Sequence, residues 1–211
     1  MAGLLMGAIL DFKTKYSYQV LSIDPSCSVS GGLGYAIVNM DAEIFGGQKN
    51  RPFVYHCGNI TPFCTDSRLI TKEELCNKMV DIWKHYAGFT REPFALVIEK
   101  PVIYPGSQVR DSDIANLIEF VGMLSRSFRP KWKFTPLVRE WKGNKPRCET
   151  KEHIISILDY RTKQTLEKDL SCVALGKQHN VYDAIGLGVF AAEVIIKRKP
   201  MPCDFYQAKA S

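Results

Sequence analysis

Gln19-Val-Leu-Ser-Ile-Asp24-Pro-Ser26 is the segment on which the architecture depends, and Gly31-Gly-Leu-Gly-Tyr-Ala-Ile-Val38 follows it after a short turn. Each is an apolar run with the length of a β-strand, and small residues of the kind found in turns separate them. The pair therefore predicts two adjacent strands, with the carboxylate of Asp24 at the rim of the sheet, where the first strand ends. An aspartate at the end of a strand is often only a turn residue, so its role depends on which other acids reach that rim.

Size and composition indicate one globular α/β domain. The chain has 211 residues, of which 45% are hydrophobic, and a formal net charge of +6, which is compatible with a polyanionic partner without being diagnostic. The seven cysteines include no C-x-x-C pair, which favours free thiols in a reducing cytoplasm. The apolar segment 1–10 is too short to span a bilayer and lacks the basic start of a signal peptide. We therefore expect a cytoplasmic protein without membrane association.

The order of predicted elements defines the fold class. Residues 52–60 predict a third strand, which completes an antiparallel meander with the first two. Thr71 and Glu74 have the spacing of a capping box at the start of a helix, and the apolar run 94–98 is typical of a buried strand that ends in Glu99. We further expect a helix capped by Asp111 or Asp113, a strand at 133–138, a loop at 139–147, a helix from Glu149, a charged connection at 160–177 and a last helix at 180–197. This order predicts an α/β sheet that begins as a meander and continues through helical crossovers.

Three acids can meet at one edge of this sheet. If the strands that end at Asp24 and Glu99 are parallel neighbours, both carboxylates lie at the rim where α/β active sites usually form. In the last helix Asp183 follows Asn180 by three residues and His179 by four, so the three side chains can share one face. Converging carboxylates repel unless cations are present, and hard oxygen ligands select Mg²⁺ or Mn²⁺. Two such ions can activate a water and stabilise the leaving oxygen of a phosphodiester.

Four segments in this order resemble a known family. They are Ile23–Ser26, Val97–Lys100, Pro136–Pro146 with Thr150–Glu152, and Tyr182–Gly186. Over roughly residues 18 to 196 the chain resembles the RuvC family of Holliday-junction resolvases in the ribonuclease-H-like superfamily, particularly its bacteriophage-type members. The resemblance implies a nuclease domain at 18–197, between an N-terminal extension (1–17) and a C-terminal tail (198–211). It also implies a mixed five-stranded sheet, three antiparallel strands followed by parallel strands, flanked by helices.

The resemblance implies an activity as well. Family members are metal-dependent endonucleases that nick four-way or related branched DNA as homodimers, here with two Mg²⁺ ions for which Mn²⁺ can substitute. Asp24 and Glu99 match the first two catalytic acids, and Asp183 matches the acid of the last helix. Asn180 stands where relatives commonly carry an acid or a histidine. Its carbonyl oxygen can still serve as a metal ligand, and the adjacent His179 can position water or the scissile phosphate.

The same resemblance implies DNA contacts. The basic loop and helix start that face DNA in the family correspond here to a segment with four cations: Lys142, Lys145, Arg147 and Lys151. Such cations bind phosphates in a salt-dependent way, although an ordinary solvated loop has the same composition. Tyr104 lies close to the position of an aromatic wedge in relatives, and a packing role would suit it equally. The helix around residues 114–124 matches the family's dimer helix, but its apolar stripe would also serve a core within one chain.

Two other functions are compatible with these residues. The first is a junction-binding dimer whose chemistry has lapsed because the fourth ligand position changed to Asn180. The second is an actin-like ATPase or sugar kinase, because Asp24-Pro-Ser followed by Ser30-Gly-Gly resembles a phosphate-binding turn. Such enzymes generally need a second phosphate loop and a further domain, for which 211 residues leave little room.

Overall fold

A computed structural model of the chain describes residues 19–25, 32–39, 53–61, 71–87, 92–102, 110–144 and 146–196, with the backbone alone at 147, 161 and 196. The strands in these ranges are β1 (Gln19–Pro25), β2 (Leu33–Asn39), β3 (Phe53–Ile60), β4 (Ala95–Ile98) and β5 (Trp132–Phe134). The helices are α1 (Lys72–Tyr86), α2 (Asp111–Ser127), α3 (Val138–Trp141), α4 (Arg147–Ile157), α5 (Tyr160–Ser171) and α6 (Gln178–Ile196), with a 3₁₀ turn at Leu175–Lys177. The predicted extension and tail lie outside the described residues.

The strands form one mixed sheet in the order β3-β2-β1-β4-β5. β1 pairs antiparallel with β2, and β2 pairs antiparallel with β3. β1 pairs parallel with β4, and β4 pairs parallel with β5. The predicted mixed five-stranded sheet flanked by helices is therefore confirmed.

Hydrophobic cores cover both faces of the sheet. All seven residues of β1 and all four of β4 are buried, as expected for central strands with helices on both sides. Val20 faces the core formed with α4, α5 and α6, whereas Leu21 and Ile23 face the core formed with α1 and α2. The alternation along β1 thus assigns each helix to one side of the sheet.

Small residues allow α6 to lie directly on β1 and β2. Ala184, Ala191 and Ala192 are at most 1% exposed and form a small-residue face of this helix. At Gly188 a Cβ atom would lie 2.6 Å from Val38 Cγ2 and 2.7 Å from Ser22 Oγ. A larger residue there would push the helix, and with it the candidate site, away from the sheet.

Helix α5 covers the outer edge of β3. Thr162 Oγ1 accepts a hydrogen bond from the Val54 backbone at 3.4 Å, and Asp169 Oδ2 accepts one from the Cys57 backbone at 3.0 Å. Asp169 also lies 2.9 Å from His56 Nδ1. These contacts satisfy donors that an open edge strand would offer to other chains.

Several local predictions need correction. The Thr71–Glu74 capping box is confirmed. The N-cap position of α2 is Arg110, which makes no side-chain capping hydrogen bond, and Asp111 and Asp113 both lie in the first turn. The expected strand at 133–138 ends at Phe134, and part of the expected loop at 139–147 is helical, since it contains most of α3 and the start of α4. Glu140 Oε2 accepts from the Leu137 backbone at 2.6 Å, which stabilises the start of α3. Most of the charged connection at 160–177 is α5.

Among the described residues, no helix combines the length and the apolar character needed to cross a membrane.

Candidate active site

The first two candidate acids lie side by side at the carboxyl ends of β1 and β4. Ile23 pairs with Ile98 in the parallel ladder, and the Glu99 backbone donates to the Ile23 carbonyl at 3.2 Å. Asp24 and Glu99 are therefore the next residues after a paired position on two adjacent strands. Asp24 is only 9% exposed. The predicted neighbourhood of these two strand ends is confirmed.

Close packing on β2 sets the position of the third acid. Gly34 is the register partner of Asp24, and a Cβ atom at Gly34 would lie 2.2 Å from the Asn180 carbonyl oxygen. The first turns of α6 thus rest on the strand position next to Asp24. Asn180 is 3% exposed, and Asp183 follows it on the same helix face. Asp183 lies near Glu99, because its carboxylate contributes to the raised pKa of Glu99.

Trp141 in helix α3 and Lys142, which follows the helix, each donate to one carboxylate of the candidate site. Trp141 Nε1 donates to Glu99 Oε2 at 3.2 Å. Lys142 Nζ donates to Asp183 at 3.0 Å to Oδ1 and 3.3 Å to Oδ2. The Trp141 ring lies against α6, where a Cβ atom at Gly186 would be 2.5 Å from its Cζ3. Consecutive residues therefore give the site a neutral donor and a cation.

Burial and charge perturb the acid at the centre of this arrangement. Burial, followed by the nearby Asp183 carboxylate, raises the pKa of Glu99 from 4.5 to about 7. The Trp141 hydrogen bond and the Lys142 charge lower the pKa of Glu99, but they do not offset these two effects. The Asp183 carboxylate is therefore near enough to Glu99 to affect its pKa. An additional cation would stabilise the ionised form of this pair.

The donor atoms suit a hard divalent cation. Asp24, Glu99 and Asp183 offer carboxylate oxygens and Asn180 offers an amide oxygen, which are the ligand types that Mg²⁺ and Mn²⁺ prefer. Within the described ranges, however, no group of three or more His, Cys, Asp or Glu side chains is arranged to hold a metal ion. The cation in contact with Asp183 is Lys142. Two features of the site are therefore compatible with a bound divalent cation: the oxygen ligands, and the raised pKa of Glu99 beside Asp183.

A cavity of about 300 Å³ adjoins Asp183 on its outer side. His179 and Lys151 line it, together with Cys148, Leu175, Gln178 and Tyr182. Lys151 is exposed, and its Nζ lies 5.2 Å from the centre of the Tyr182 ring. His179 and Lys151 therefore line the same cavity as Asp183, where they can approach a bound substrate.

The predicted DNA contacts stay predictions, and the structure describes the side chains of two of them, Lys142 and Lys151. The sequence places Lys142 with Lys151 in a phosphate-binding segment, but the Lys142 side chain is 10% exposed and ion-paired with Asp183. Tyr104, Lys145 and the side chain of Arg147 lie outside the described residues, so their roles stay predictions.

Three residues that shape the site received no role from the sequence. Trp141 belongs to a segment quoted for the family resemblance, and an aromatic residue in a polar basic stretch is a signal for a buried partner. Gly34 interrupts an otherwise apolar strand, a pattern that marks close approach of another backbone. Gly186 carries no comparable signal among the small residues of α6.

Comparisons with known proteins agree with this fold. No protein-family model matches the chain, and no curated protein matches its sequence. Among solved structures, the yeast mitochondrial Holliday junction resolvase Ydc2 superposes with a TM-score of 0.54 and 10% identity, over 87% of this chain and 82% of Ydc2. Thermus thermophilus RuvC aligns with a TM-score of 0.49 and 11% identity, over 85% of this chain and 96% of RuvC.

The RuvC of the same bacterium in complex with a Holliday junction substrate gives a TM-score of 0.47 and 10% identity, again over 85% of this chain and 96% of that one. At 10% identity the likeness to Ydc2 is a likeness of fold. The fold expected from the sequence, a mixed five-stranded sheet flanked by helices, is confirmed at that level.

Proposed function

We propose that the chain is a metal-dependent, structure-selective endodeoxyribonuclease that hydrolyses phosphodiesters in Holliday junctions or related branched DNA. In this proposal the protein acts as a homodimer with two Mg²⁺ ions in each site, for which Mn²⁺ can substitute. The observation that carries it is the placement of Asp24 and Glu99 at the ends of adjacent parallel strands, with the Asp183 carboxylate near enough to raise the pKa of Glu99.

The perturbed acid pair supports a role for cations. A buried carboxyl whose pKa is raised to about 7 by burial and by a neighbouring acid becomes a better ligand when a cation neutralises the pair. Bound Mg²⁺ would polarise the phosphodiester and lower the pKa of a water molecule. Asp24, Glu99 and Asp183 would hold the ions through carboxylate oxygens, and Asn180 would add a carbonyl oxygen.

Neighbouring side chains have supporting roles in the proposed reaction. Trp141 holds the Glu99 carboxyl in one orientation through the 3.2 Å hydrogen bond. His179 lines the cavity beside Asp183, where its ring can orient a water molecule or a phosphate oxygen. Lys151 lines the same cavity and can neutralise a phosphate of the bound strand.

Branched DNA is the substrate class that best suits these features. Ydc2, the solved structure that superposes with a TM-score of 0.54, is named as a Holliday junction resolvase. The net charge of +6 favours a polyanionic partner. Homodimerisation and junction selectivity come from the family resemblance and are part of the proposal.

Cleavage of synthetic DNA tests the proposal directly. We expect the wild type to nick a four-way junction in Mg²⁺ or Mn²⁺, whereas Asp24→Asn and Glu99→Gln lose at least about 100-fold in rate and still bind the junction. Glu73→Gln is the matched control, because this acid is exposed on α1, across the sheet from α6. Retained nicking by both site variants would refute the assignment.

The same assay separates the alternative functions. Asn180 replaces an expected ligand, so a dimer that binds junctions without cutting them is the second candidate function. Junction binding with no product in either metal would favour that candidate. Hydrolysis of ATP by the pure protein, lost in the Asp24 variant, would instead favour the kinase-like alternative.

A further inference from the structure

We infer that Lys142 is an internal counterion that competes with the divalent cation for Asp183, so that metal binding releases the turn 142–144 from α6. The inference rests on the proposed function, since it takes a metal-dependent site as its premise. It assigns Lys142 a positioning role in the site in addition to the DNA contact predicted from the sequence.

The geometry of the ion pair is the first observation. The ammonium of Lys142 is within hydrogen-bond distance of both Asp183 oxygens, at 3.0 and 3.3 Å. The two side chains are only 10% and 15% exposed, so solvent screens their attraction less than that of a surface pair. A carboxylate engaged in this way has fewer lone pairs to offer to a metal. Metal ligation by Asp183 and pairing with Lys142 therefore oppose each other.

The backbone around Lys142 is the second observation. Lys142 ends α3, with its amide bonded to the Val138 carbonyl at 2.9 Å. Gly143 follows with φ +65°, and a Cβ atom there would have no neighbour within 4 Å. Trp141, one residue earlier, packs against Gly186 and can keep α3 in place. The turn can thus change its position while the helix before it stays docked.

A second lysine, Lys151, lines the cavity beside Asp183 and provides a comparison for the Lys142–Asp183 ion pair. Lys142 and Lys151 both lie near Asp183, but the Lys151 ammonium is over the ring of Tyr182, at 5.2 Å from its centre. A general effect of positive charge would be shared by both lysines. Direct competition for Asp183 would be specific to Lys142. Lys151 is therefore the matched control.

Metal affinity provides the main test. Mn²⁺ would be titrated calorimetrically into DNA-free wild type, Lys142→Met, Lys142→Arg and Lys151→Met. We expect Lys142→Met to bind Mn²⁺ about tenfold more tightly, the scale of one charge-assisted hydrogen bond, and Lys151→Met to differ from wild type by less than about threefold. Lys142→Arg keeps a paired cation and should bind like wild type. Equal affinities of the two methionine variants would overturn the inference and leave the proposed function intact.

Mn²⁺ binding by none of the four proteins would refute the metal-dependent function itself, and the inference with it. Hydrogen exchange gives a second readout, in which wild type is compared with Lys142→Met. The Gly143 amide bonds to the Arg139 carbonyl at 3.2 Å, and Mn²⁺ should accelerate exchange of this amide. In Lys142→Met we expect fast exchange that does not respond to Mn²⁺. Exchange in wild type that slows or stays constant on metal addition would contradict the release of the turn.

Discussion

Replacing Glu99 by glutamine should stabilise the metal-free protein at alkaline pH and have little effect at acidic pH. Burial and the Asp183 carboxylate raise the pKa of Glu99 from 4.5 to about 7 in the folded chain. The folded state therefore holds a proton that the unfolded state releases above pH 4.5. Stability from this group is fully present below pH 4.5 and is lost as the pH rises to about 7.

The expected size follows from the pKa shift. A rise from 4.5 to about 7, at about 1.36 kcal/mol per unit, corresponds to about 3 kcal/mol of stability lost between acidic and alkaline pH. The substituted glutamine would be neutral at every pH and could still accept the Trp141 hydrogen bond, so Glu99→Gln avoids that loss. For a domain of this size the difference corresponds to roughly 6–12 °C in melting temperature.

Urea unfolding with EDTA at about pH 4.5, 6 and 8 would measure this effect. The free energy of unfolding of Glu99→Gln relative to wild type should increase by about 3 kcal/mol from the lowest to the highest of these pH values. Glu73→Gln, an exposed acid on α1, serves as the control and should show no such increase. A difference between Glu99→Gln and wild type that is the same at all three pH values would refute the assignment of the buried acid.

Two further substitutions test how the site is built. Trp141→Phe removes the hydrogen-bond donor that lowers the pKa of Glu99, so the pKa of Glu99 should rise. The free energy of unfolding of the metal-free protein should then be lower than that of wild type at alkaline pH, as measured by urea unfolding at several pH values. An unchanged pH dependence would contradict this. Gly34→Ala would place a Cβ atom 2.2 Å from the Asn180 carbonyl oxygen and should cost about 2–4 kcal/mol in urea unfolding, because backbone has to move. Gly122→Ala, where a Cβ atom meets nothing within 4 Å, should be neutral or slightly stabilising, and equal costs at both glycines would refute the packing argument.

Much of the fold could be predicted because its signals are local. The apolar runs before Asp24 and Glu99 indicated strands, and the structure confirms them as central parallel neighbours that are buried throughout. The Thr71 capping box located the start of α1 correctly. The segment from Arg139 to Arg147 was harder, because proline, glycine and basic residues suggest a loop although a short helix forms there.

The residues proposed to do chemistry can be named from the amino-acid sequence alone, because Asp24, Glu99 and Asp183 stand in predictable elements whose order implies that they lie at one end of the parallel strands. How these acids are partnered depends on the tertiary structure. The fold places Lys142 on Asp183 and Trp141 on Glu99, contacts between residues that are 41 and 42 positions apart. Periodicity and caps report interactions within one element, whereas the pKa of a buried acid depends on desolvation and on charges brought together from distant parts of the chain.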